Sequence, residues 1–198
     1  IIMNHLSIQA LDKFPLINPG DNLCSIIIDS IKDNEILIDD GDVILLAQKI
    51  VSKSENRFKN LLEINPSEKA IKFGKSLGRD PSFMQLILDE SNEILSTEKN
   101  VIIVEHKLGY ININAGIDRS NISKNKNLVL LLPENPKKSA NHIQTQISSE
   151  LGKDISVDNP VNALFSIAAS GTDANSLVGM SNMFRGPTYG DCRILEGD

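Results

Sequence analysis

The chain has 198 residues, enough for a single domain to bury most of its apolar surface without a disulfide or metal staple. Its formal net charge of -6 argues against non-specific binding to nucleic acid, which needs a basic face; an acidic chain that binds a nucleotide must neutralise the phosphates locally, with a few lysines, backbone N–H groups and divalent cations. Cys24 and Cys192 are far apart and read as reduced thiols of a cytoplasmic protein, and apolar runs such as Ile26-Ile27-Ile28 fall far short of the roughly 20 residues that cross a bilayer.

The start carries no basic segment followed by an apolar one, so the expectation is a soluble, unexported protein. Beginning at Ile1-Ile2-Met3 and stopping at Leu195-Glu196-Gly197-Asp198, the chain reads as a piece of a longer reading frame.

Residues His5 to Leu11 predict an opening strand, and Pro15 with Pro19-Gly20 a loop before Asp21, a good helix N-cap. Leu23, Ile26, Ile27 and Ile31 fall at helical spacing and predict an amphipathic helix to about Asp33. After the turn signal Asp40-Gly41-Asp42, the unbroken apolar run Val43 to Ala47 predicts a short strand buried on both faces. In Asn65-Pro66-Ser67-Glu68 the asparagine reads as a cap, the proline as the first helical residue and the acid as a capping-box partner, opening a helix that ends near Gly78. Asp80-Pro81 repeats the device, and Phe83, Leu86, Ile87 and Ile94 predict a second helix to about Leu95.

Val101 to Glu105 and Tyr110 to Asn114, joined by His106-Lys107-Leu108-Gly109, read as a hairpin, and its second strand runs into the polar loop Ala115 to Asn121. Asn127 to Leu132 predicts a strand, Lys138 to Leu151 a helix closed by Gly152, Asp154 to Val157 a weak strand, and Phe165 to Gly171 one more. No repeat, low-complexity tract or linker divides the chain. The expectation is one α/β domain, of mixed α+β character, over residues 1–198.

Two segments carry candidate chemistry. Gln48-Lys49-Ile50-Val51-Ser52-Lys53 follows the apolar run, where a lysine can set an ammonium on a phosphate; the plainer alternative is two solvated lysines at a strand end. Asn114 to Asn121 offers the Asp118 carboxylate, amides and a hydroxyl on a backbone made adaptable by Gly116. Mg²⁺ binds through one or two such carboxylates plus substrate phosphates and water, and the alternative is an Asx turn that caps local backbone groups. His5, His106 and His142 are scattered, which argues against a histidine-based zinc or proton-relay site. Neither G-x-x-x-x-G-K-[ST] nor G-x-G-x-x-G is present, and the glycine-bounded stretch Gly171 to Gly179 lacks the lysine.

Taken in order and spacing, Phe14-Pro15-Leu16-Ile17, Asp40-Gly41-Asp42-Val43 running to Ser52-Lys53, Asn65-Pro66-Ser67-Glu68, Asn114-Ala115-Gly116-Ile117-Asp118-Arg119-Ser120-Asn121 and Leu130-Leu131-Leu132-Pro133 resemble the coenzyme F420-0:gamma-glutamyl ligases over about residues 5 to 157. The resemblance implies a gamma-glutamyl ligase-like domain with a mixed sheet and flanking helices. It implies a GTP-dependent ligase requiring Mg²⁺ or Mn²⁺, in which a carboxylate of coenzyme F420-0 is activated as an acyl phosphate and the amine of L-glutamate displaces phosphate. It further implies a homodimer. By position, Asp118 would be a metal ligand, Asn121 a nucleotide contact, and Gln48, Lys49 and Lys53 would hold the nucleotide, with Phe14, Pro15, Leu16 and Ile17 facing it largely through backbone.

The chain departs from the family after Gly152, where the family has an acid followed by a hydroxyl residue and then an arginine-containing turn. Here Ser156-Val157-Asp158-Asn159-Pro160 passes directly to Val161-Asn162-Ala163, which reads as a local deletion of a second metal motif, with Asp158 as a candidate stand-in for the lost carboxylate. The C-terminal part of the family is mostly missing. A non-catalytic nucleotide-binding remnant and a structural scaffold in an oligomer are therefore the alternative readings.

Overall fold

The computed structural model describes residues 9–98, 101–119 and 125–157, which gather into two compact units, one from residues up to Ser54 together with those from Pro136 onward, the other Glu55–Asn135. The expected strand over Phe165 to Gly171 and most of the one over His5 to Leu11 lie outside the described residues, and residues 9 to 11 are irregular.

In the first unit, helix α1 (Leu23–Asp33) is capped by Asn22, whose side chain accepts from the Ser25 N–H. Asp21, the expected cap, instead accepts from the Asn18 N–H at 2.7 Å and closes the preceding turn. Both residues are good caps; which one serves depends on where the turn before it closes. Leu23, Ile27 and Ile31 face a core completed by Ala140, Ile143 and Ile147 of helix α5 (Pro136–Leu151). That helix begins two residues before the expected Lys138, because the fixed φ and missing N–H of Pro136 suit a first turn. Gly152 closes it in the left-handed region, φ 63°.

The apolar run Val43 to Ala47 yields only a two-residue strand, β1 (Val43–Ile44), paired in parallel with β7 (Ser156–Val157). It is not buried on both faces, since Val43 is 43% and Leu45 41% exposed. An apolar run reports affinity for an interior but not how many partners the strand will find. Among the described residues β1 has one, and the chain turns at once into helix α2 (Gln48–Ser54). Leu46 and Val51 reach the core from either side of that junction.

The second unit runs from β2 (Phe58–Asn60) through helices α3 (Glu68–Leu77) and α4 (Pro81–Asp89) into β3 (Ser91–Glu98), β4 (Val101–His106) and β5 (Ile111–Ile113), and closes with β6 (Leu128–Leu130). β2 and β6 pair antiparallel, and β3, β4 and β5 form an antiparallel meander whose second hairpin is the expected one. The N-cap of α3 is Ser67, whose hydroxyl accepts from the Ala70 N–H, so Asn65 and Pro66 lie before the helix. Asp80 caps α4 and Pro81 opens it, as the sequence predicts. α4 ends at Asp89, however, and Ile94 belongs to β3, opposite Val104. Ile87 and Ile94 are seven apart, two helical turns, so periodicity alone cannot separate a longer helix from a strand that returns to the same core; pairing with β4 decides.

The core of this unit gathers Phe83, Met84 and Ile87 from α4, Ile102 and Val104 from β4, and Val129 and Leu131 from β6 and the residue after it. Helices, a parallel pair and antiparallel strands together give the α/β class expected. No helix among the described residues is long and apolar enough to cross a membrane.

Candidate functional site

The residues singled out by sequence fall into two groups, each within its own unit. In the first unit Lys49 and Lys53 stand on α2, not on a strand end; four apart, they share a helix face, and both are half-buried. Lys53 makes no ion pair with an acidic side chain among the described residues. Gln48 differs. It is 1% exposed and its amide Nε2 donates to the Ser52 hydroxyl at 2.7 Å, which places that side chain in the interior.

Residues 14 to 17 form an irregular segment in which Phe14 and Ile17 pack against the first core while Pro15 and Leu16 are exposed. Three residues past this segment, the Gly20 N–H donates to the Ser54 carbonyl at 2.9 Å, tying the turn that follows it to the end of α2. The structure thus brings the 14–17 segment and the α2 lysines together within one unit. The sequence placed them in one list without a geometric reason.

In the second unit Asp118 is held by its backbone. Its N–H donates to Leu130 O and its carbonyl accepts from Leu130 N–H, both at 2.9 Å, so a single antiparallel bridge to β6 fixes the residue, whose side chain is half-buried. The turn leading to it is unusual: Asn114, Ala115 and Gly116 have φ of 53°, 55° and 66°, three successive left-handed residues of which only the last is glycine. A Cβ at Gly116 would stand 2.9 Å from Leu132 Cδ2 and 3.0 Å from Asn112 Nδ2, so a larger residue would meet a strained φ and would also have to displace two side-chain ends. Asn112 Oδ1 is buried without a hydrogen-bond partner beside this turn. Arg119 leaves the loop on the other side and stacks its guanidinium over the Phe83 ring, 4.7 Å from the centroid. Asn121 lies outside the described residues.

A divalent cation can be tested against this donor set. Among the described residues no three His, Cys, Asp or Glu side chains cluster as an all-protein cage. One half-buried carboxylate on a rigid turn fits a hard cation of the Mg²⁺ kind, which takes one or two carboxylates and draws its remaining oxygens from phosphate and water. It does not fit a structural zinc site.

The sequence reading missed a polar cluster in the second unit. Glu90, at the end of α4, has His106 Nε2 at 3.6 Å, Lys107 Nζ at 3.6 Å and an Arg57 nitrogen at 3.9 Å around its carboxylate. The three histidines lie scattered along the chain, and no local spacing in the sequence joins His106 to Glu90 and Arg57.

Comparison with known proteins supplies the family. The sequence model of the F420-0:gamma-glutamyl ligases matches residues 12–171. The coenzyme F420:L-glutamate ligase of Methanothermobacter thermautotrophicus is 34% identical over 152 residues, 77% of this chain and 60% of that protein. The same enzyme of Methanocaldococcus jannaschii is 42% identical over 120 residues, 61% of this chain and 47% of that protein, and that of Methanosarcina mazei 37% over 148 residues, 75% and 55%. The chain belongs to the F420-0:gamma-glutamyl ligase family. It spans between 47% and 60% of the length of these three relatives.

Proposed function

We propose that this chain carries the nucleotide- and metal-binding part of a ligase that joins L-glutamate to coenzyme F420-0 in an amide bond, using GTP and Mg²⁺ or Mn²⁺ and passing through an acyl phosphate. The observation that carries the reading is the family match over residues 12–171, which covers both groups of candidate residues in a single stretch. Lys49 and Lys53, on one face of α2, supply ammonium groups for the phosphates, with the 14–17 segment beside them and Gln48 buttressing the helix from inside. Asp118 supplies the carboxylate for the cation and Asn121 an amide for the nucleotide.

Phosphoryl transfer asks little covalent help of a protein; it asks that the reacting groups be held in line and that developing negative charge be met by cations. The cation, when bound, would supply part of that neutralisation. The lysines would supply the rest as fixed charges, and a rigidly bridged Asp118 keeps its carboxylate where it needs no reorganisation during reaction. The same reading has the protein working in the cytoplasm as a homodimer.

A second reading is favoured by one specific feature, the passage from Ser156-Val157 to Val161-Asn162-Ala163 without an acid–hydroxyl pair. On it the chain binds nucleotide and does not turn over. Calorimetry of GTP binding with and without Mn²⁺, joined to an assay of GDP release in the presence of coenzyme F420-0 and L-glutamate, separates the two. GDP release that requires both co-substrates supports the ligase, binding without release supports the remnant, and no binding in any metal removes both.

A further inference from the structure

Arg79 lies in the tight connection between α3 and α4, and its place there is over-determined. Its N–H donates to Gly74 O at 2.9 Å, completing the left-handed stop at Gly78, and its own carbonyl lies so close to α3 that a Cβ on Gly74 would stand 2.8 Å from it. The next two residues are the Asp80 cap and Pro81, whose ring fixes the backbone. A side chain that leaves such a connection starts from a rigid base.

The other end of that side chain meets the least comfortable backbone of the unit. Arg79 Nη1 donates to Asn114 Oδ1 at 3.3 Å, and Asn114 is the first of the three left-handed residues that end at Gly116. Non-glycine residues hold such a conformation only where their surroundings impose it. Two residues beyond the turn, Asp118 is locked into its bridge with Leu130. The turn therefore has a fixed exit, and Arg79 grips its entrance from an element 35 residues away in sequence.

We infer that Arg79 is a positioning residue, whose hydrogen bond to Asn114 holds the left-handed Asn114–Gly116 turn and so sets where the Asp118 carboxylate stands. The inference concerns the turn; its consequence for a bound cation rests on the proposed reading of Asp118 as a metal ligand.

Amide exchange and Mn²⁺ titration on the full chain test it. In Arg79→Met the Asp118 amide is expected to exchange about tenfold faster than in the parent, as for the loss of one charge-assisted hydrogen bond, while α1 and α5 amides in the other unit keep their rates. Arg79→Lys, which retains a donor and the charge, restores part of the protection. Asn114→Gly, which removes the acceptor while leaving the left-handed φ of 53° accessible, also accelerates exchange and serves as the readout if Arg79→Met does not fold. An Asp118 amide that exchanges at the parental rate in a folded Arg79→Met or in Asn114→Gly overturns the inference.

Mn²⁺ affinity in the presence of GTP is read in parallel with Asp118→Asn. If Asp118→Asn binds Mn²⁺ like the parent while Arg79→Met still frees the Asp118 amide, the positioning stands and the metal reading falls. If Asp118→Asn loses Mn²⁺ while Arg79→Met keeps parental affinity, Arg79 does not set the carboxylate and the inference fails.

Discussion

His106 Nε2 stands 3.6 Å from the carboxylate of Glu90 in the second unit, and His106 itself is only 3% exposed. The tautomer follows from the opposite nitrogen: Nδ1 accepts from the Leu108 N–H at 3.0 Å, so in the neutral ring Nε2 carries the proton and aims it at Glu90. At 3.6 Å the contact is longer than a good hydrogen bond, and Nε2 has no hydrogen-bond partner among the described residues.

This contact makes acid stability depend on Glu90. The His106 N–H is the largest influence lowering the Glu90 carboxyl below the ordinary glutamate range; burial opposes it, and coulombic attraction to Lys107, His106 and Arg57 adds to it. A carboxyl whose pKa is lower folded than unfolded contributes stability that is complete above its unfolded pKa, about 4.3, and is lost as pH falls through the folded value. Glu90→Gln is therefore expected to cost about 1 to 3 kcal/mol at neutral pH. The gap between the urea midpoints of parent and variant should narrow below about pH 4. An equal gap at pH 6 and pH 3.5 would refute the assignment.

Gly74 tests the rigid base of Arg79. Alanine there favours the helix by about 1 kcal/mol in isolation. In this fold its methyl would sit 2.8 Å from Arg79 O and 3.2 Å from Pro81 Cγ, and backbone cannot move aside cheaply. Overpacking of this kind costs about 1 to 3 kcal/mol, so Gly74→Ala is expected to lower the denaturation midpoint despite the better propensity. A midpoint that rises would show that the α3–α4 approach is loose.

Gly116→Ala combines a left-handed φ of 66° with contact on Leu132 and Asn112. The expected loss is about 2 kcal/mol or more, with Mn²⁺ binding weakened beyond what the stability change explains. Thermal melts and Mn²⁺ titration of the same preparation provide the check. A variant that melts like the parent and binds Mn²⁺ equally would remove the turn from the site.

The α2 lysines divide from Gln48. Lys53→Ala and Lys49→Ala are each expected to weaken GTP binding about 10- to 100-fold, the worth of one charge-assisted contact, with the effect shrinking as salt rises. Gln48→Leu, which removes a buried amide from Ser52, is expected to show first in stability, by about 1 kcal/mol. Calorimetry at two ionic strengths and urea titration distinguish them; a Gln48→Leu that abolishes GTP binding with stability intact would place that side chain against the nucleotide after all.

Local chemistry explains which parts of the fold were legible. Asp80-Pro81, Gly78 and Gly152 act on residues within a turn of themselves, and each does in the structure what its side chain or missing side chain dictates. The choice of Asn22 over Asp21 and of Ser67 over Asn65 was not legible, because neighbouring caps compete and the winner depends on how the preceding chain arrives. Nor was the end of α4 legible, because Ile94 fits a helix stripe and a strand face equally until β4 is beside it.

The sequence by itself determined the α/β class and the family, and singled out Lys49, Lys53 and Asp118 as candidates, since residue types in order and spacing suffice for that. Only the tertiary structure decided that the lysines ride a helix, that Asp118 is pinned to Leu130 past a left-handed turn, that Arg79 meets Asn114 and that His106 meets Glu90. Those relationships join residues distant along the chain, and burial, strain and hydrogen-bond geometry come into being only when the elements pack.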